Sequence, residues 1–210
     1  PQTGQLDLPT LLALEAAGAS PTSPAYQALF ADGVLHGAMA VGYDEAGSHQ
    51  AEVSQVLQGL VQRGYTDVTG EQRQQLTLPK EGKYLTRSLG LGDREVKVIL
   101  EFISPDTPAA KERFALAMRE SELLMYGGHG RYGSGPDFDD LHSAAGNFVI
   151  GQPFEPGHVT LGPNDLEAGS LTPGYQLMFF DGCNTFRYFD DLHSKTPGKS
   201  TKNLDIIGST

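Results

Sequence analysis

The chain has 210 residues, 15 Lys and Arg against 26 Asp and Glu, a formal net charge of −11 and a hydrophobic content of 39%. It is too apolar for a disordered chain, yet no apolar run approaches the roughly 18 residues of a membrane span, so a soluble folded chain able to bury a core is expected. The negative balance opposes phosphate backbones and anionic bilayers, which argues against nucleic acid and membranes as partners.

The one cysteine, Cys183, excludes a disulfide-stapled domain and leaves the compartment, cytoplasmic or secreted, open. Pro1 without a preceding basic and apolar leader is expected to be a processed or cut end. Residues 8–17 read as a short helix and 18–24 as a turn-rich linker, giving a peripheral piece over 1–33 ahead of a main domain over 34–210. Residues 34–41 read as a strand broken by Gly37, with Gly42-Tyr43-Asp44 turning out of it. Over 50–63 the spacing of Val53, Val56, Leu57, Leu60 and Val61 predicts an amphipathic helix that Gly64 ends.

Between 65 and 92 only weak strands at 66–68 and 84–89 are legible. A β-branched run predicts a strand at 96–103; Thr107 and Pro108 then read as N-cap and first residue of a helix reaching about 120. The apolar run at 122–127 predicts a strand covered on both sides. Residues 148–150 and 158–161 suggest a hairpin. The pattern closes with a strand at 175–180, a helix at 184–193 and a strand at 204–207. Such alternation predicts an α/β fold, a mostly parallel central sheet with helices on both faces.

Two of these strands end in chemistry. Leu123-Leu124-Met125-Tyr126 runs into Gly127-Gly128-His129-Gly130, and Tyr175 to Phe180 runs into Asp181-Gly182-Cys183, with Cys183 following His129 by 54 residues. In open parallel sheets sites form outside the carboxyl ends of strands, so a thiol and an imidazole at neighbouring strand ends can meet. A thiolate attacks a carbonyl, and an imidazole takes its proton and passes one to the leaving amine. The predicted helix N-terminus after Cys183 favours negative charge there. The N–H groups of Gly130 and Cys183 are the candidate donors for an oxyanion.

His-Gly after one apolar strand and Asp-Gly-Cys after the next resemble the caspase-like clan of cysteine peptidases, which includes gingipains, clostripain, legumains, separases and metacaspases. The likeness follows element order over most of 34–208, but only the two short blocks are specific. It implies a three-layer caspase-like fold, a cysteine endopeptidase with a His129–Cys183 dyad, and a protein or peptide substrate. Caspases themselves carry Gln-Ala-Cys; an acid two residues before the cysteine is similar to metacaspases and implies that Asp181 selects arginine or lysine at P1. Asp181 capping the following helix is the competing reading. The clan also implies elements after the last strand, whereas the sequence ends at Thr210, so truncation, or self-cleavage leaving a second fragment of the same precursor as partner, is expected. The basic loop 195–202 offers cleavage sites.

Other readings are weaker. Gly128-His129-Gly130-Arg131-Tyr132-Gly133 matches a dinucleotide fingerprint, but Gly133-Ser134-Gly135-Pro136 cannot open the helix that motif requires. No cofactor or metal is expected: His129, His142 and His158 with Asp137, Asp139 and Asp140 lack zinc-site spacing, and 137–140 lacks the pattern of an EF-hand, leaving calcium dependence unsupported. The alternative of another class is an inactive caspase-like protein-interaction module.

Overall fold

Strand β1, Val34–Val41, lies at the centre of the sheet and has the bounds its sequence pattern predicts, but it is not broken at Gly37, which pairs in register with Leu100 and Leu123. The computed structural model describes residues 25–45, 47–130, 136–140, 171–183, 185 and 192–209. The expected helix at 8–17, the hairpin within 148–161, His142, His158 and most of the helix at 184–193 lie outside the described residues.

Helix α1, Ser48–Gln62, follows β1 and places Val53, Val56 and Leu57 against one face of the sheet, as the periodicity required. Gly64 at φ +87° then turns the chain into β2, Thr66–Asp67. Residues 65–92, barely legible in sequence, hold helix α2, Gly70–Gln75, started by a capping box between Thr69 and Gln72, and strand β3, Lys83–Leu91. Strand β3 pairs antiparallel with β4, Arg94–Ile103, through a two-residue turn with Gly92 at φ +63°.

Helix α3, Ala110–Glu120, starts two residues later than the Thr107–Pro108 signal predicted. Thr107 Oγ1 instead accepts from the Ser104 N–H at 2.9 Å, so that hydroxyl closes a turn, and Ala109 at φ +52° enters the helix. Strands β5, Leu123–Gly127, β6, Gln176–Asp181, and β7, Leu204–Gly208, complete the sheet, with the short helix α4, Leu192–Lys195, before β7.

The order is β2-β3-β4-β1-β5-β6-β7, and β4, β1, β5, β6 and β7 run parallel. The fold is thus α/β with a mostly parallel sheet. Its two faces follow the alternation of side chains along each strand. Ala38, Ala40, Ile103, Leu124, Tyr126, Met178 and Phe180 pack with Phe114, Ala117 and Met118 of α3, while Val41, Leu100 and Phe102 meet α1 on the other face. Gln176, fully buried, donates through Nε2 to the carbonyls of Met118 and Ser121 at 3.0 and 2.7 Å, tying the end of α3 to β6.

At the amino ends of the strands Lys199 is buried and donates to the Gly174 carbonyl at 2.7 Å. Burial pushes its ammonium down to about 8. Below that pH both folded and unfolded chains hold the proton and the burial penalty is complete; above it the folded chain releases the proton before the unfolded one does, so stability rises with pH toward the ordinary lysine range. Denaturant unfolding from pH 7 to pH 10 is expected to show the stability of the native chain rising, relative to Lys199→Met, by about 1–2 kcal/mol after allowance for water screening. A flat difference would refute the assignment.

Candidate active site

The chain leaves β1 toward β4 and returns from β4 to β5 on the other side of β1, so strand order reverses between β1 and β5. Loops diverge at the carboxyl ends of such a pair and open a crevice. The loop after β1 carries Gly42, Tyr43, Asp44 and Glu45; the loop after β5 carries Gly128, His129 and Gly130; β6, next to β5, ends in Asp181, Gly182 and Cys183. The two sequence motifs therefore lie at the same ends of neighbouring strands, with Gly127 opposite Asp181 in register.

Main-chain contacts set the spacing. The N–H of Gly42 donates to the Gly127 carbonyl at 2.8 Å, and that of Gly128 to the Asp181 carbonyl at 3.0 Å. A methyl group on Gly42 would fall 2.3 Å from the Tyr126 hydroxyl, and one on Gly182 would fall 2.7 Å from the Gly128 carbonyl oxygen and 3.6 Å from the Gly130 nitrogen. Gly128, at φ +149°, packs against Gly42 in the same way. Glycine is thus needed at all three points, where the Tyr126 hydroxyl (at Gly42) or main chain (at Gly128 and Gly182) approaches more closely than a Cβ allows. The residue before Cys183 lies against the residues on either side of His129.

Tyr126 holds the His129 loop from below. Its buried hydroxyl donates to the His129 carbonyl at 2.6 Å and accepts from the Asp137 N–H at 3.0 Å. Its ring packs with Phe114 and Phe138 at centroid separations of 5.9 and 5.8 Å, which anchors segment 136–140 behind the loop. On the β6 side the Gly182 carbonyl accepts from Thr185 N at 3.4 Å and from the Ser209 hydroxyl, so the turn bearing Cys183 is tied to the end of β7. Cys183 is exposed and the His129 side chain is 44% exposed, so both are open to solvent. Of the helix expected after the thiol, Thr185 is described as helical and α4 extends two residues past 193.

The acidic surroundings were not legible in the sequence. Asp44 Oδ1 lies 4.0 Å from His129 Nε2, while Oδ2 accepts from the Ser48 hydroxyl. The buried His49 ring, packed at a tilt on Tyr43 with centroids 5.1 Å apart, places Nδ1 3.1 Å from the Asp44 carbonyl and fixes the loop. Glu45 joins Asp44 and His129, the ligand atoms of all three falling within 4.8 Å of one another. Glu52 of α1 faces the same group. Partial desolvation and then the charges of Asp181 and Asp44 push its carboxyl up, and His129 opposes them. An acidic turn at the carboxyl end of the first strand was the available signal; Glu52 gave none, because only the docking of α1 brings it there.

Asp181 is exposed, and most of the helix it would cap lies outside the described residues. Gly130 bridges Pro136, and its nitrogen is near Gly182. Among the described residues no helix is long and apolar enough to cross a membrane. Comparisons with protein-family models, curated proteins and solved structures find no match.

Proposed function

We propose that the protein is a cysteine endopeptidase of three-layer caspase-like architecture, in which Cys183 attacks the scissile carbonyl and His129 handles the proton. The observation that carries this reading is the seating of Gly182, immediately before the only cysteine, against the backbone on both sides of His129. The chemistry needs a nucleophile and a base on one rim, open to substrate, and the residues offered there are a thiol and an imidazole.

In this mechanism His129 takes the Cys183 proton as the sulfur adds to the carbonyl. The resulting oxyanion is met by the N–H groups of Cys183 and Gly130. His129 then protonates the leaving amine, and water, activated by the same ring, hydrolyses the thioester. Asp44, at 4.0 Å from Nε2, orients the ring and offsets the charge it gains during transfer. Asp181 receives a basic P1 side chain, with the field of Glu52 and Asp44 favouring the cation.

A fluorogenic peptide panel with arginine, lysine, asparagine or aspartate at P1 tests this assignment. Arginine and lysine are expected to be cleaved best, and Asp181→Asn to lower kcat/KM for both by tenfold or more while leaving the asparagine substrate little changed. Preference for aspartate would remove Asp181 from the P1 site. No cleavage of any peptide by the native chain would leave the interaction-module reading.

A further inference from the structure

We infer that Asp44, Glu45 and His129 form a zinc-binding site that switches the imidazole off. These residues come from the loops that follow β1 and β5, at the reversal of strand order, and they converge although 85 positions separate Asp44 from His129. Residue spacing alone therefore led to the opposite expectation, that no metal is held.

The donor set selects the ion. One imidazole nitrogen with two carboxylates suits a borderline cation such as Zn²⁺, whereas calcium takes six to eight oxygens and magnesium keeps most of its water. Ligand atoms about 2.0–2.1 Å from a tetrahedral zinc stand about 3.3 Å apart. His129 Nε2 and Asp44 Oδ1 are at 4.0 Å and the whole set lies within 4.8 Å, so closure asks for under an ångström from Asp44 and a rotation of the exposed Glu45.

The supports of the site are those that metal ligands use. The Ser48 hydroxyl holds Asp44 Oδ2 and turns Oδ1 toward the ring, and the Tyr126 hydroxyl fixes the main chain of His129. Glu52, on a separate element, adds a negative charge that interacts with both Asp44 and His129. Three protein ligands leave the fourth position to water. Zinc on Nε2 takes the one lone pair of the neutral ring and leaves the proton on Nδ1, so neither nitrogen can accept the thiol's proton; binding rests on the geometry alone, while inhibition rests on the peptidase reading above.

Titration of the full chain with Zn²⁺ by calorimetry, and with Co²⁺ by its visible absorption, separates the two. In a Cys183→Ala background, which removes the thiol as a competing ligand, one equivalent is expected to bind, and Glu45→Gln and Asp44→Asn are each expected to weaken it at least tenfold. Circular dichroism on each variant checks that the fold persists. Absence of saturable binding, or affinity unmoved by Glu45→Gln, overturns the proposal, since no step of the measurement needs catalysis. If peptides are cleaved, zinc is expected to inhibit the native chain, with the half-inhibiting concentration at least tenfold higher in Glu45→Gln relative to that variant's own metal-free rate; cleavage with no zinc binding removes this site and leaves the peptidase reading standing.

Discussion

Cys183→Ala is expected to lower turnover of an arginine-P1 peptide by at least about a thousandfold, because the acyl intermediate has no other nucleophile to form on. The chain offers an unusually direct check, since it contains one cysteine. A peptide-based thiol inhibitor should attach to the native chain at one site and not to Cys183→Ala; equal labelling of the two would end the catalytic case. His129→Ala keeps the sulfur and removes the base, so its labelling is expected to be about a hundredfold slower, within the range general-base catalysis supplies. An exposed thiol with no catalytic role would react with a peptide inhibitor no faster than with iodoacetamide, and His129→Ala would leave both rates alone. Near-ultraviolet circular dichroism of each variant shows whether the rim survives the substitution.

Gly182→Ala is expected to be the most damaging conservative change outside the proposed Cys183–His129 pair. Its methyl group would fall 2.7 Å from the Gly128 carbonyl oxygen, inside van der Waals contact with main chain that cannot rotate away. Relief requires β5 and β6 to part at their carboxyl ends, where Gly128 N–H donates to the Asp181 carbonyl at 3.0 Å. Overpacking of this kind costs about 1–3 kcal/mol of stability. The larger effect is expected on kcat/KM, about a hundredfold, because an ångström of misplacement between nucleophile and base has that consequence. Gly174→Ala is the matched control: a methyl there meets Thr172 Oγ1 at 3.7 Å, an ordinary contact, and both activity and thermal midpoint should hold. If Gly182→Ala cleaves peptides at the native rate, the two strand ends do not set the catalytic spacing.

What could be read from the sequence was what local patterning controls. Residues 34–41 and the apolar runs ending at Gly127 and Asp181 announce buried strands, and α1 follows from the spacing of Val53, Val56, Leu57 and Leu60. The β3–β4 hairpin was harder, because β3 mixes Lys83, Thr86, Arg87 and Ser88 with its apolar residues and buries only Tyr84, Leu85 and Leu91. The Gly92-Asp93 pair between Leu91 and Arg94 was nevertheless a usable turn signal, as was Thr69 with Gln72 for α2. Thr107 and Pro108 misled in a physical way: the hydroxyl satisfies Ser104 N–H before the helix begins, and Ala109 adopts a left-handed conformation that no propensity favours. At the candidate site the two residues at strand ends were legible, whereas Asp44, Glu45 and Glu52 owe their place beside His129 to strand order and to the docking of α1, which are properties of the whole sheet.

The position of β1 also bears on when this rim comes into existence. Val34 pairs with Lys97 and Gly37 with Leu123, so the middle strand has no hydrogen-bonded neighbour in the sheet until chain 63 and then 86 positions downstream has emerged. Loop-closure entropy makes such distant pairings slow relative to local hairpins and helices. During synthesis the β3–β4 hairpin and α1 can form early, but the segments bearing Asp44, His129 and Cys183 stay apart until the centre of the sheet has closed. The rim that gathers these segments is therefore assembled only after β1 has paired with β5, the most distant strand pairing in the sheet.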